Sequence, residues 1–410
     1  MLQLVCLQVN FLKPNRLFAA TRGAALERLR AFAPRAGRAY AEGRNTDPGA
    51  EQPGAVSKLS PYLRYRLVTE REVVAEVLAS HGFDEAEKFI QEVLWRSYWK
   101  GWLEMRPGVW RRFLAERDGD QERLHGAPTV REAEEGRTGI DCFDNWVQEL
   151  VQTGYLHNHA RMWFASIWIF TLRLPWTLGA DFFLRHLIDA DPASNTLSWR
   201  WVAGLQTPGK IYLATPDNIA RYTNGRFAPR GLAVSANALV EAPLEKPVPL
   251  APLTAIDRSL PSILLATHED LHPESAIGDD PAFLSAVVAA DPALLWGEGA
   301  RQFVSSAAAD AATRIAGHFR CEASLARTLD AVAIAAVALP AGARQVVTLH
   351  APTGPVADAL TRLERELARH DIRLAILRRS WDDACWPHAR KGFFAFKEHI
   401  PKILGEELRA

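Results

Sequence analysis

Five prolines fall within the twenty residues PLEKPVPLAPLTAIDRSLPS, 243–262, and no other stretch constrains the fold as strongly. Proline lacks an amide proton and fixes φ, so neither a helix interior nor a central strand can run through such a segment. Regular structure must therefore be built on either side of it. Residues 243–261 are expected to be a Pro-rich linker.

The two sides carry different periodicities. Upstream, apolar residues recur at three to four residue spacing in EREVVAEVLASHG, AEKFIQEVLWRSYWKGWLEM, DCFDNWVQELVQTG and HARMWFASIWIFTLRL, which predicts an all-helical domain over residues 1–242. Downstream, the short apolar runs SILLATH, QVVTLHA and RLAILRR alternate with Ala-rich helical segments. That alternation predicts a smaller α/β domain with a mostly parallel sheet over 262–410. The chain is thus expected to be mainly α. No nucleotide fingerprint follows a strand in the second half, and APTGP at 351–355 reads as a strand-to-helix loop or a phosphate turn.

Charge is balanced, with 48 basic and 48 acidic side chains, so net charge does not point to nucleic acid. Residues 151–230 hold eight basic residues against four acids, which suits either a phosphate-tracking face or scattered solvated arginines. Four cysteines without a C-x-x-C pair argue against a zinc site or a disulfide framework and favour a reduced, cytoplasmic setting. The apolar run Met162–Leu172 stops at Arg173, short of the ~20 residues that span a bilayer. The N-terminal MLQLVCLQVNFLKPNR has no basic region ahead of its apolar residues, so neither a signal peptide nor a membrane anchor is expected. A monomer is expected.

Ten of the thirteen tryptophans fall between Trp95 and Trp201. They suit either an aromatic core or a pocket for a planar ligand, because acids, amides and bases share their segments. In KFIQEVLWRSYW, Phe89, Glu92, Arg96 and Trp99 recur at helical spacing. GYLHNHARMWF sets a His-Asn-His triplet before Arg161 and Met162, and LIDADPASNTLSWRW holds two acids, an amide and two tryptophans. His157 and His159 at i and i+2 point apart on a helix and chelate one metal poorly. A Ser-His-Asp hydrolase lacks its G-x-S-x-G elbow.

Four segments, AVSKLSPYL (55–63), KFIQEVLWRSYW (88–99), GRTGIDCFDNWVQELVQTGYLHNHARMWFAS (136–166) and LIDADPASNTLSWRW (187–201), stand in the order found in the FAD-binding helical domain of the DNA photolyase and cryptochrome superfamily. The resemblance runs over residues 15–230. It implies FAD held between helices and a cavity beside the flavin that admits a flipped pyrimidine lesion. The function implied is light-driven repair of UV-damaged DNA, a lyase splitting cyclobutane pyrimidine dimers by electron transfer from excited reduced FAD. The alternatives are a cryptochrome-like blue-light receptor without repair and a light-independent flavoprotein.

The resemblance also assigns residues. Ser57, Leu59 and Ser60 match those holding the FAD diphosphate, with Lys58 where the family commonly has arginine and Tyr40 as the phosphate-proximal tyrosine. Asp189 and Asp191 match the paired acids, Arg161 the partner of Asp189, and Asn195 the amide facing the flavin N5 edge; Arg96 and Phe89 complete the cofactor set. Trp199 resembles the flavin-proximal tryptophan of the electron-transfer chain and Trp176 the middle one. The outermost position falls near Arg123, which is not aromatic. Glu92, Trp95, Asn158, Met162 and Trp201 match the residues that hold and polarise the lesion. Asn158 and Met162 favour cyclobutane dimers over (6-4) photoproducts, whose enzymes have histidines there.

The chain also departs from the family. Val56 replaces a usual threonine, Phe89 a frequent tryptophan, and His159 a phosphate-contacting arginine. ILLATHEDLHPES resembles the family's first strand, which makes the C-terminal α/β domain a candidate for a relocated antenna-like domain. The helical domain is expected to hold FAD mainly by itself, so that a fragment ending near Pro249 retains it if folding permits.

Overall fold

The computed structural model describes residues 17–409 apart from 51, 253, 280 and 281; the N-terminal segment read above therefore lies outside the described residues. Helices occupy the chain from Arg22 to Tyr222. Those that build the site are α1 (Ser60–Arg64), α2 (Phe83–Glu104), α3 (Asn158–Ser166), α4 (Trp176–His186) and α5 (Pro192–Val202). The capping box formed by Thr69 and Glu72 starts the helix Glu70–Ser80, satisfying two amide donors that the first turn leaves open. Asp191 caps α5 with a single bond, accepting from the Ser194 amide at 2.7 Å.

At 22 residues, α2 is about 33 Å long and acts as the spine of the molecule. Phe89, Glu92, Val93, Arg96 and Trp99 face a cavity in the helical half. Ser97, Tyr98, Gly101 and Glu104 instead meet the C-terminal half.

The C-terminal half is the expected parallel sheet with helices on both faces. Its strands are β1 (Ser262–Thr267), β2 (Ser285–Ala289), β3 (Glu322–Ala326), β4 (Gln345–Leu349) and β5 (Arg373–Leu377), in the order β3-β2-β1-β4-β5, all parallel. In register, Leu265 of the central β1 stands opposite Val287 and Thr348. Ile263, Leu265, Val287, Val346 and Leu374 point to one face, under α7 (Pro355–Ala368) and the helix Ala331–Ala338. Leu264, Ala266, Val288 and Val347 point to the other, where α6 (Glu298–Phe319) and the helical half cover them. The two-residue alternation of strand side chains divides the sheet between two cores.

One of those cores is continuous with that of the helical half. Buried ion pairs stitch the same boundary. Arg64 is bidentate to Glu269 at 2.5 and 2.7 Å, and Arg66 lies 2.7 Å from Asp382 and 3.2 Å from Asp270. Arg379 also grips Asp270, at 2.6 and 2.8 Å. A fragment ending near Pro249 would strip carboxylates from both Arg64 and Arg66 and expose this core. The condition that such a fragment folds is what this boundary bears on: an uncompensated buried charge costs several kcal/mol, on the order of 3–5 per broken pair.

Among the described residues, 223–261 form neither helix nor strand, as the prolines require. They do not float as a flexible linker, however. The Leu239 amide donates to the Ala203 carbonyl at 3.0 Å, Val248 to Met105 at 2.9 Å and Thr254 to Ile376 at 3.3 Å, while Glu241 pairs with Arg200 and Arg112. The segment is a strap laid across the helices and then along β5. No described helix is long and apolar enough to cross a membrane.

Candidate functional site

A cavity of about 690 Å³ opens between α1, α2, α3, α4 and α5, within the range of small-molecule and cofactor sites. Every residue assigned above to catalysis, cofactor or electron transfer lines it, except Asp191 and Trp176. Segments separated by as many as 182 positions, from Tyr40 to Tyr222, converge on one wall system.

One end is polar. Lys58 adopts a left-handed φ of +53°, a conformation that costs a non-glycine residue about 1 kcal/mol or more and clusters at functional sites. Its ammonium stands 5.6 Å from the Tyr155 ring centroid, and the Arg161 guanidinium is as close. Burial lowers the Lys58 pKa, with Glu149 opposing. Arg161 completes a bidentate pair with Asp189 at 3.1 and 3.3 Å and donates through Nε to the Leu156 carbonyl at 2.9 Å. The buried carboxylate is thereby compensated.

Asp191 lies behind the wall. Its carboxylate meets Arg96 at 3.2 Å and Arg64 and Lys100 at 3.7 Å each. Burial alone would raise its pKa, but Lys100, Arg96 and Arg64 outweigh that and hold it well below the usual carboxylate range. Asp191 thus fixes Arg96, which does line the cavity.

The deeper wall is amide and indole. Asn195 donates through Nδ2 to the Ala180 carbonyl at 2.8 Å, which orients the amide and leaves its oxygen as an acceptor. Trp199 is buried against Phe183 at 5.1 Å and edge-on to Trp168 at 6.3 Å. Trp176 stands apart from the cavity, 5.5 Å from Phe113. From Phe113 aromatic contacts continue to Trp110 at 5.3 Å and on to Trp296 at 5.6 Å. Trp163 and Trp146 stack on one another at 5.5 Å.

Glu92, Trp95, Asn158, Met162 and Trp201 line the same cavity and retain solvent access. Although water reaches Glu92, surrounding protein desolvates its carboxyl and raises its pKa, with Arg44 opposing. Tyr40 is pushed well above its ordinary value by burial, and then by Glu92. His159 spends both ring nitrogens internally, on the Asn45 carbonyl at 2.9 Å and the Tyr212 hydroxyl at 3.0 Å. Burial also lowers its pKa, and with both nitrogens engaged it presents no free ring nitrogen to a phosphate.

Arg44, Tyr155, Ser194 and Tyr212 also line the cavity and escaped the sequence reading. Tyr155 sits inside a motif already singled out, and Arg44 follows Tyr40 by one helical turn. Helical spacing could have marked Arg44, whereas Tyr155 lies between helices and only its motif pointed to it. Among the described residues no cluster of His, Cys, Asp or Glu could hold a metal ion.

A polar aromatic cofactor fits these walls. Ser60 Oγ, Ser194 Oγ and Trp199 Nε1 belong to cavity-lining residues, are buried, and have no hydrogen-bond partner within the protein. Those atoms are sealed in the wall; the fit rests on the residues that open on the cavity, the cations Lys58, Arg96 and Arg161 together with the Asn195 amide and the faces of Trp95 and Trp201.

Residues 89–224 match the model of the FAD binding domain of DNA photolyase. The chain is 34% identical over 157 residues to a deoxyribodipyrimidine photo-lyase of Streptomyces griseus, covering 37% of this chain and 33% of that one. It is 35% identical over 195 residues to one of Thermus thermophilus, covering 46% and 44%. A bacterial class III photolyase from Agrobacterium tumefaciens superposes with a TM-score of 0.42 at 27% identity, over 50% of this chain and 43% of that one. The chain thus spans less than half the length of these relatives. Residues 89–224, which supply most of the cavity wall, thus match the FAD binding domain of DNA photolyase.

Proposed function

We propose that the protein is a light-driven DNA repair lyase that splits cyclobutane pyrimidine dimers. The observation that carries this reading is the shared cavity: Glu92, Trp95, Asn158, Met162 and Trp201 line the space that Asn195 and Trp199 also line. A flat lesion admitted there stands beside the cofactor. Reduced FAD, when bound, supplies under light the electron that opens the cyclobutane ring and receives it back.

The chain's own residues bind and polarise. Glu92, whose carboxyl pKa is raised by desolvation, lines the cavity where it can hydrogen-bond the lesion as negative charge develops on it. Trp95 and Trp201 offer aromatic faces to extruded bases, Asn158 an amide for their edges, and Met162 an adaptable apolar contact. Asn195 is held by Ala180 so that its oxygen can meet the flavin ring.

The test is direct. Purified, photoreduced protein is illuminated with UV-irradiated oligo-thymidylate, and recovery of thymine absorbance is followed. Recovery is expected. A flavin-loaded protein that restores no absorbance would instead favour a light receptor.

A further inference from the structure

Trp95 stands between the cavity and the C-terminal half of the chain. It lines the cavity and also stacks on Phe393, with ring centroids 3.7 Å apart and planes within 10°. Phe393 begins α8 (Phe393–Lys397), and the turn before it is firmly held. The Tyr98 hydroxyl donates to the Lys391 carbonyl at 2.8 Å, and Arg106 donates to the Arg390 carbonyl at 2.7 Å. Those bonds occupy backbone carbonyls. The side chains of Arg390 and Lys391 remain exposed.

Beside them Phe394 is 84% exposed, the one aromatic among the exposed large apolar side chains of the described residues. Leaving such a ring in water forgoes the gain of burying it. Its neighbours are cations that no described carboxylate claims, whereas Lys397 is paired with Glu87 at 2.9 Å. Glu398, the nearest acid in sequence, caps the opposite end of α8.

We propose that the turn Arg390–Phe394 is a docking surface for the DNA strand that feeds the cavity. Arg390 and Lys391 take backbone phosphates, and Phe394 stacks on an unpaired base next to the extruded one. An exposed ring flanked by cations is the composition of a single-strand platform, sequence-tolerant because every base has a π-face. Continuity with the cavity decides the partner: Phe393, next to Phe394 in the turn, packs directly on Trp95, which lines the cavity. His159, spent on Asn45 and Tyr212, leaves phosphate binding to other cations, and the turn has two. This inference rests on the reading of the cavity as a lesion site.

The experiment uses the flavin-loaded full chain and a fluorescent single strand carrying one thymine dimer, with anisotropy read at several salt concentrations. Phe394→Ala should weaken binding about fivefold to a hundredfold, the range of a lost base stack, and Phe394→Trp should restore it. Arg390→Gln with Lys391→Gln should flatten the logarithmic salt slope by about 1.4, from two phosphates at ~0.7 each on a single strand. All three side chains are exposed, so melting temperature and flavin content should stay at wild-type values. Wild-type binding with unchanged affinity in Phe394→Ala and an unchanged slope in the double variant overturns the docking surface alone. Wild-type protein that binds no strand overturns the lesion-site reading and this surface with it.

Discussion

Gly179 in α4 tests whether Trp199 is as tightly placed as the cavity requires. A Cβ on Gly179 would lie 2.3 Å from Cη2 and 2.5 Å from Cζ3 of Trp199, and 3.0 Å from Cδ1 of Trp168. Carbon pairs rest near 3.5–4.0 Å, so the indole must retreat by about 1 Å or more in Gly179→Ala. Phe183 and Phe164 stand at 5.1 and 6.3 Å from Trp199 and Trp168 closes another side, which leaves the cavity as the direction of escape. Overpacking of this kind costs about 1–3 kcal/mol, while alanine gains about 1 kcal/mol over glycine in a helix interior. The net loss of stability is therefore small, about 0–2 kcal/mol, or a few degrees in Tm for a chain of this length. Flavin binding should suffer more, because the displaced ring enters the space the cofactor needs. Melting curves with and without FAD, together with flavin absorbance per chain, separate the two effects. Wild-type flavin content and an unchanged flavin-dependent rise in Tm in Gly179→Ala would refute the argument.

Glu92→Ala should lower repair per photon while FAD stays bound, as quantum yield and flavin absorbance can show together. Burial, and then Asp47, push the Glu149 carboxyl up to about 7 against Arg226 and Lys58. Its protonated form is thus favoured by folding, and that stability is complete below about pH 4.3 and lost as pH rises through about 7. The Tm of Glu149→Gln minus that of wild type should accordingly start near zero at pH 4–5 and grow up to about pH 7 and beyond. Asp382→Ala removes one carboxylate from Arg66 and should cost about 3–5 kcal/mol, seen as a lower urea midpoint. Trp199→Phe should abolish fast photoreduction by external reductant in transient absorption, while Arg123→Ala leaves it intact.

Helical spacing alone places Phe89, Glu92, Arg96 and Trp99 on one face of α2, while most of the other cavity residues were legible through the resemblance of their motifs to the photolyase family. Asn195 and Trp199 are four positions apart, one turn of α5. What spacing cannot give is depth: Asp191 and Asn195 share a motif, yet the helix cap turns one toward Arg96 behind the wall and the other toward the cavity. The strands β2 and β3 went unread. β2 is only SAVVA, and the edge strand β3 is EASLA, whose partly exposed alanines carry little β signal. The prolines of 243–261 excluded helix and strand correctly, but their ties to Met105 and Ile376 are backbone bonds that no side-chain pattern announces. Phe393 behind Trp95 lies almost 300 positions away in sequence, and only the fold brings them together.

The C-terminal sheet explains why the two halves cannot be treated separately. Its order reverses between β1 and β4, and the crevice beyond the carboxyl ends of such strands is where doubly wound folds usually take a ligand. Here the helical half fills it. The loop after β1 presents Glu269 and Asp270, and these receive Arg64 and Arg66 from α1 and the residues just beyond it. The loop after β4 presents donors instead: the Thr353 amide and hydroxyl reach Glu104 at 2.8 and 2.9 Å, and His350 lies 3.1 Å from the same carboxylate. Burial alone would raise the Glu104 pKa, but His350 and Thr353 hold it below the ordinary range. A carboxylate at the end of α2 thus occupies the donors that a phosphate turn at 351–355 would have used, and Pro192 sits 3.2 Å from where a Cβ on Gly354 would project. Acid loop to arginine and donor loop to glutamate are complementary in sign. That complementarity fixes α2 against the sheet, and α2 carries Glu92, Trp95 and Arg96 to the cavity.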